Sequence, residues 1–193
     1  MSTRDRILTA TNELFRRSGF NGTSIKQITI VAQVPMGSLY HFFPDGKDQL
    51  GREAIETSGI AYGQLFELIA NEAATPSEAI GDFFDGAAEV LEATDFIDIC
   101  PIGTVAREVA STNDTLREAT SVVFTSWIAA VAARFEAANV PSQEAKVLAT
   151  TVVAALEGGF MLARAARDTA PLRATGTAIR LLVDTTLEAS TRH

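Results

Sequence analysis

The stretch TSIKQITIVAQVPMGSLYHFFPDGK, residues 23–47, holds two short apolar-patterned segments that meet at a proline. Thr23 or Ser24 can cap a first helix, because a hydroxyl oxygen accepts hydrogen bonds from the free backbone N–H groups at a helix start. The inward positions of that helix are predicted to be Ile25, Ile28 and either Val31 or Ala32. Pro35 suits the first turn of a second helix, where a proline loses no hydrogen bond. Two short helices this close together predict a helix-turn-helix.

The chain on either side of this stretch is also patterned for helices. Apolar residues from Ile7 to Phe15 follow the helical period, and Gly19 can end that helix in a left-handed cap, which predicts a first helix over residues 3–18. Beyond residue 47 the pattern predicts longer helices at 48–74, 76–94, 103–111, 114–139, 142–168 and 171–189. No segment alternates apolar and polar residues between hairpin turns. We therefore expect an all-α fold of nine helices, with a three-helix domain at 1–47 and a helical domain at 48–193.

The net charge of −8 is unevenly distributed along the 193 residues. Residues 1–52 carry seven basic and four acidic side chains, a net charge of +3, and the remainder carries nine basic and twenty acidic side chains, a net charge of −11. A basic segment on an acidic body is typical of a protein that meets a polyanion with that segment alone. The charge pattern therefore favours DNA contact by the N-terminal helices.

Few residues suited to catalysis or metal binding are present. The chain has one cysteine, Cys100, and two histidines, and it lacks the short motifs of zinc peptidases, serine hydrolases and phosphate-binding loops. We expect no enzyme activity, no metal and no cofactor. The charged start MSTRDRIL is unlike a targeting peptide, and the most apolar window, residues 147–166, is interrupted by Glu157 and two glycines. A buried helix and a cytoplasmic protein are expected.

The second helix of a helix-turn-helix presents its first turns to the major groove of DNA. Leu39 and Phe43, four residues apart, are predicted to pack inward and to leave the other residues of this helix outside. Hydroxyl, imidazole and ammonium groups can donate hydrogen bonds to phosphate oxygens, and Gly37 allows close approach of the helix. Covering the edge of the core is the alternative role for Tyr40 and His41. The predicted DNA-binding residues are Ser24, Lys26, Gln27, Met36, Gly37, Ser38, Tyr40, His41 and Lys47.

The segment GFNGTSIKQITIVAQVPMGSLYHFFPDGKDQL resembles the DNA-binding domain of the TetR family of bacterial transcriptional regulators, and the resemblance covers residues 5–51. The segments CPIGTVARE and LEGGFMLARAARDTAPL, together with the extra residue in FFPDGK, are similar to the LmrA/YxaF-like branch of that family. The resemblance implies a three-helix DNA-binding domain followed by an all-helical domain for ligand binding and dimerisation. It also implies repression of a nearby promoter until a small molecule binds.

The same resemblance assigns roles within the helical domain. Bulky side chains on helices that resemble the family's pocket walls are candidates for ligand contact, with core packing as the alternative: Tyr62, Phe66, Phe83, Phe84, Phe124, Trp127, Val131 and Phe160. In the family, the last two long helices pack against their copies in a four-helix bundle. Small residues there allow close approach, with packing inside one chain as the alternative. The predicted dimer residues are Ala155, Gly158, Gly159, Leu162, Leu182 and Thr185.

Three positions depart from the family pattern. The turn has Gln33 where glycine is usual, which implies either a positive φ at a glutamine or a differently shaped turn. Pro35 replaces the common serine or threonine cap, and Met36 stands where a basic residue is frequent. The operator sequence therefore cannot be taken from a relative.

Together these features predict a cytoplasmic, homodimeric repressor that binds a palindromic double-stranded DNA operator and is released by a small apolar or aromatic effector. Two alternatives stay open at this point. One is a helical small-molecule-binding protein or enzyme whose DNA-binding domain is vestigial. The other is an activator or a nucleoid-type DNA binder.

Overall fold

Nine α-helices follow one another in the computed structural model, which describes residues 1–190. They are α1 (Thr3–Ser18), α2 (Ile25–Ala32), α3 (Met36–Phe42), α4 (Gly46–Glu72), α5 (Pro76–Ala93), α6 (Pro101–Val109), α7 (Asp114–Ala137), α8 (Ser142–Ala166) and α9 (Ala170–Ser190). No strand occurs within residues 1–190, so the all-α prediction is confirmed. The predicted helix ends agree with the observed ones to within two residues. The last three residues of the predicted second domain lie outside the described part of the chain.

Local sequence signals set most of the helix starts. Ser2 and Ser24 each form a capping box that starts α1 and α2. α5 and α6 begin with Pro76 and Pro101, in the first turn of the helix, where a backbone N–H would have no intrahelical acceptor. α6 therefore begins two residues before its predicted start. Pro35 lies at the N-cap of α3 instead of the predicted first turn, because its ψ of 148° is extended.

The first of two compact units comprises Met1–Ala61 and Ile99–Val123. In this unit α1, α2 and α3 pack on one another, and α1 also packs on α6. The three-helix core is formed by almost fully buried side chains, among them Ile7, Phe15, Ile28, Leu39 and Phe43. The predicted inward packing of Leu39 and Phe43 is thus confirmed. Ala32 completes the buried face of α2, whereas Val31 is exposed.

The second unit comprises Tyr62–Asp98 and the described part of 124–193. Within it α9 packs on both α5 and α8. Two glycines permit this close packing, since a Cβ at Gly176 would lie 2.7 Å from Phe84 Cβ and one at Gly159 would lie 2.6 Å from Leu172 Cδ1. Among the described helices, α8 alone is long and apolar enough to cross a bilayer. Its inner face packs on α9, as expected for the predicted buried helix.

Packing divides the chain differently from the predicted functional domains. α4 and α7 each contribute residues to both units, and α6 belongs to the first unit. The 27 residues of α4 span about 40 Å at the usual helical rise, and the helix continues from the residues of the first unit into those of the second. The functional division between residues 47 and 48 concerns DNA and ligand binding, and it stays a prediction.

Candidate nucleic-acid interface

The start of α2 is held by a reciprocal pair of hydrogen bonds. The Gln27 N–H donates to Ser24 Oγ at 3.2 Å, and the Ser24 N–H donates to Gln27 Oε1 at 2.8 Å. The Ser24 hydroxyl donates to the same glutamine oxygen at 2.7 Å. Both side chains are exposed but already engaged, so a phosphate contact by either must share or replace these bonds. Lys26, between them in sequence, is exposed as well.

The turn between α2 and α3 is built on a left-handed glutamine. Gln33 adopts φ 55° and ψ 49°, which is the first of the two possibilities raised by its sequence position. Its N–H donates to the Ile30 carbonyl at 3.1 Å, and the Val34 N–H donates to the Thr29 carbonyl at 3.0 Å. This pair of bonds commonly ends a helix at a glycine. The turn therefore keeps the shape that a glycine would give it.

Arg6 of α1 holds this turn from outside the two short helices. Its Nε and Nη2 donate to the Ala32 carbonyl at 3.1 and 2.6 Å, and Nη2 also donates to the Gln33 carbonyl at 2.5 Å. Carbonyl groups at the end of a helix lack intrahelical partners and attract a cation. In the sequence, Arg6 is one of the seven basic residues of 1–52 and carries no other signal. Ala32 and Gln33 follow Arg6 by 26 and 27 positions, and no local sequence pattern indicates contacts over such separations.

The solvent side of α3 carries the residues predicted to contact DNA. These exposed or half-buried residues are Met36, Gly37, Ser38, Tyr40 and His41. Tyr40 is 48% exposed, so its hydroxyl group can meet a partner without unfolding the helix. A Cβ at Gly37 would meet no atom within 4 Å, so the protein's own packing does not require this glycine. The His41 ring makes an edge-to-face contact with Phe42 at 5.0 Å.

Lys47, the second residue of α4, is half-buried in the first unit. Its Nζ lies 4.0 Å from the centre of the Phe20 ring, a cation–π contact. Burial lowers the pKa of Lys47, while the carboxylates of Asp48 and Glu108 act in the opposite direction. The phosphate contact by Lys47 stays a prediction, and that contact would compete with Phe20 for the ammonium group.

The second unit holds an aromatic group around Trp127. The Trp127 ring makes edge-to-face contacts with Tyr62 and Phe124, with ring centres 6.1 and 5.7 Å apart. All three side chains are half-buried. A Cβ at Gly63 would lie 3.8 Å from the indole, so the ring is also close to the α4 backbone. The structure thus brings together three of the residues predicted for ligand contact.

The other predicted ligand residues lie in different surroundings. Phe66 and Phe83 form a second edge-to-face pair with ring centres 5.7 Å apart. Phe84 is 1% exposed and packs between α5 and α9, and Val131 is also buried. Phe160 is half-buried. Burial of Phe84 agrees with the alternative of core packing, while ligand contact by any of these residues stays a prediction.

The predicted dimer residues divide between the outer and inner faces of α8 and α9. Leu162 and Leu182 are 55% and 43% exposed, and a Cβ at Gly158 would meet nothing within 4 Å. Thr185 is exposed and Ala155 is half-buried. Gly159, in contrast, faces Leu172 of the same chain. The sequence could not separate the two adjacent glycines, because small size suits either kind of packing.

Cys100 is buried and caps the start of α6, where its Sγ accepts a hydrogen bond from the Gly103 N–H at 3.4 Å. Within residues 1–190, no group of three or more His, Cys, Asp or Glu side chains is arranged to hold a metal ion.

Comparison with known proteins matches both parts of the chain. Residues 7–54 match the family described as "Bacterial regulatory proteins, tetR family". Residues 76–178 match the one described as "Transcriptional regulator LmrA/YxaF-like, C-terminal domain". The uncharacterized HTH-type transcriptional regulator YxaF of Bacillus subtilis (strain 168) is 34% identical over 180 residues, which cover 93% of this chain and 94% of that protein.

Solved structures share the same fold. A TetR transcriptional regulator from Legionella pneumophila superposes with a TM-score of 0.82 at 24% identity, covering 96% of this chain and 97% of that chain. A cysteine mutant of the TetR family regulator CifR, solved with 26-bp double-stranded operator DNA, gives a TM-score of 0.75 at 20% identity and covers 96% of each chain. The chain therefore belongs to the TetR family of bacterial transcriptional regulators, in its LmrA/YxaF-like branch, and is a regulator and not an enzyme.

Proposed function

We propose that the protein is a homodimeric repressor that binds a palindromic operator through residues 24–47 and releases it when a small apolar or aromatic effector binds. The observation that carries the proposal is the exposed face of α3, where Met36, Gly37, Tyr40 and His41 stand outside a fully buried Leu39. Such a helix places side chains in the major groove while the preceding helix contacts the backbone. The operator complex of CifR supports the same use of the fold.

Dimerisation through α8 and α9 follows from their outer faces. Met161 and Leu162 of α8 and Leu181 and Leu182 of α9 are all between 43% and 64% exposed. An apolar surface of this kind is stabilised by burial against a copy of itself. A two-fold dimer would carry two α3 helices and read two half-sites about 34 Å apart, one turn of the duplex. This symmetry is the reason for proposing a palindromic operator.

Effector binding is assigned to the aromatic group of the second unit. Tyr62, Phe124 and Trp127 are half-buried, so part of each ring is available to a further partner. Aromatic edges and faces favour apolar or aromatic molecules. The effector lowers operator affinity only as far as it binds better to the arrangement that does not bind DNA. We place the protein in the cytoplasm, where its DNA partner lies, and propose no membrane partner and no cofactor.

A reporter experiment tests repression directly. The protein first selects its preferred duplex from a random-sequence pool, and that duplex is placed between a constitutive promoter and a reporter gene. Repression predicts that expression of the protein lowers reporter output, and that the Tyr40→Ala variant, expressed at the same level, does not. Increased output would identify an activator. An unchanged output, with the duplex still bound in vitro, would contradict repression by promoter occlusion.

A further inference from the structure

Glu108 of α6 reaches the loop that joins α1 to α2. Its Oε2 accepts a hydrogen bond from the Asn21 N–H at 2.9 Å, across 87 positions of sequence. Its Oε1 lies against Gly19, where a Cβ would be only 1.9 Å from that oxygen. Gly19 also has a φ of 68°, which favours glycine. The carboxylate therefore occupies a place that a side chain at position 19 would fill.

The same loop determines where α2 begins. Thr23 is 1% exposed, its hydroxyl donates to the Gly19 carbonyl at 2.7 Å, and its N–H donates to the Phe20 carbonyl at 3.2 Å. Ser24, the next residue, is the N-cap of α2. Only two residues separate Asn21 from this cap, so the loop leads directly into the first turn of α2. That turn carries Lys26 and Gln27, two of the predicted DNA contacts.

The loop is braced on its other side by α4. Phe20 is 8% exposed and lies under the Lys47 ammonium group, 4.0 Å from ring centre to Nζ. A Cβ at Gly51 of α4 would be 3.1 Å from Phe20 Cε2, so the ring is in close contact with that helix. Glu108 is also one of the two carboxylates whose charge acts on Lys47. One carboxylate on α6 thus acts on both the loop and the basic residue at the start of α4.

We infer that Glu108 is a positioning residue for DNA binding, which holds the α1–α2 loop and thereby the start of α2 in the arrangement that contacts the operator. The inference rests on the proposed DNA-binding function and adds to it a residue outside the helix-turn-helix. Glu108 acts in this way without touching DNA itself. Its effect passes through the Asn21 N–H and the backbone of residues 19–24.

Removal of Glu108 has two opposing effects on DNA affinity, one from its charge and one from its hydrogen bond. A carboxylate near a DNA-binding surface repels phosphates, so its loss should strengthen DNA binding and free Lys47 for contact. Loss of the hydrogen bond to the loop should instead weaken binding, because α2 would have to be ordered on the DNA. The sign of the change in affinity therefore separates the two effects.

Three substitutions at position 108 separate the effect of side-chain length, and so of the hydrogen bond to Asn21, from the effect of charge. Glu108→Gln keeps an oxygen at the same reach but is neutral, Glu108→Asp keeps the charge but is one methylene shorter, and Glu108→Ala loses both. The full-length proteins are compared by affinity for the duplex selected by the unsubstituted protein, and by NMR-detected hydrogen exchange of the Asn21 amide. Thermal unfolding checks that each variant is folded.

If Glu108 positions the α1–α2 loop, the three variants should differ in duplex affinity and in Asn21 exchange in the following way. Glu108→Ala and Glu108→Asp should bind the duplex at least about tenfold more weakly, and their Asn21 amide should exchange at least about tenfold faster, as expected for loss of one charge-assisted hydrogen bond in each protomer. Glu108→Gln should stay within about threefold of the unsubstituted protein in both measurements. If only Glu108→Ala fails to fold, the Asp and Gln pair still decides the question.

Two results would overturn the inference. One is tighter duplex binding by Glu108→Ala and Glu108→Gln with Glu108→Asp unchanged, which is the charge effect alone. The other is faster Asn21 exchange without any loss of affinity, which would make the loop irrelevant to DNA binding. If the unsubstituted protein selects no duplex, the proposed function fails. The exchange measurement then shows separately whether Glu108 holds the loop.

Discussion

The guanidinium group of Arg6 donates a hydrogen bond to the carbonyl oxygen of Gln33, 27 positions further along the chain. Gln33 has the positive φ on which the turn between α2 and α3 depends. A glutamine adopts this conformation at a cost of about 1 kcal/mol or more relative to ordinary backbone. The contact from α1 therefore stabilises the turn that orients α3.

Arg6→Ala should lower the free energy of unfolding by about 2 kcal/mol, because three hydrogen bonds from a charged donor are lost at the end of α2. Arg6→Lys should recover part of this loss, since an ammonium group keeps the charge but not the planar set of donors. Urea unfolding measures both. The matched control is Arg17→Ala, which removes an exposed i,i+4 ion pair with Glu13 and should change stability by less than about 0.5 kcal/mol. Equal effects at positions 6 and 17 would contradict this role of Arg6.

Tyr40→Phe should weaken operator binding by about tenfold to thirtyfold. If the hydroxyl donates to a phosphate in each half-site, its removal takes away about 1 kcal/mol twice per dimer. The fold should not change, because Tyr40 is 48% exposed. Fluorescence anisotropy with the selected duplex provides the measurement, and Tyr62→Phe, which removes the same group from the second unit, is the control. If Tyr40→Phe binds the duplex with unchanged affinity, the Tyr40 hydroxyl does not contact DNA.

Gly158→Arg should convert the dimer to monomers that remain folded. A Cβ at position 158 would meet no atom of the neighbouring helices within 4 Å, although the glycine itself is half-buried. Gly159→Arg should unfold the second unit instead, because a Cβ there would be 3.5 Å from Leu172 Cα and 2.6 Å from Leu172 Cδ1. Sedimentation velocity and circular dichroism distinguish the two outcomes. A dimeric Gly158→Arg protein would place the interface elsewhere.

Binding of an aromatic effector should change the fluorescence of Trp127, the only tryptophan in the chain. The change should follow the same concentration dependence as release of operator DNA, after correction for the linkage between the two equilibria. Trp127→Ala should weaken the effector and leave DNA binding intact, since Trp127 belongs to the second unit and α3 to the first. If the effector binds Trp127→Ala as tightly as it binds the unsubstituted protein, the effector site does not include this aromatic group.

Helix positions and the helix-turn-helix could be predicted because their signals are local. Ser24 caps α2 three residues before Gln27, and Leu39 and Phe43 are buried together one helical turn apart. The family resemblance carried the prediction further, to a regulator of the LmrA/YxaF-like branch. All of these features depend on residues that are close in sequence or on a motif that is recognised as a whole.

The contacts that position the candidate interface could not be predicted in the same way. Arg6 meets Gln33, and Glu108 meets Asn21 across 87 positions, so no periodic pattern links the partners. Gly158 and Gly159 look alike in sequence, although one is open and the other faces Leu172. Such differences depend on how each helix is rotated about its axis. Small residues suit both a buried and an exposed face, so the sequence does not indicate this rotation.

The sequences of the duplexes that the protein selects from a random pool test dimeric operator binding most directly. Binding by a two-fold dimer through α3 predicts an enriched inverted repeat whose half-sites are centred about one duplex turn, or a whole number of turns, apart. Gly158→Arg should lose this enrichment, and Met36→Ala should change the bases preferred within each half-site. An enriched single half-site without a symmetric partner, or no enriched sequence from well-folded protein, would contradict a dimeric operator-binding regulator of this design.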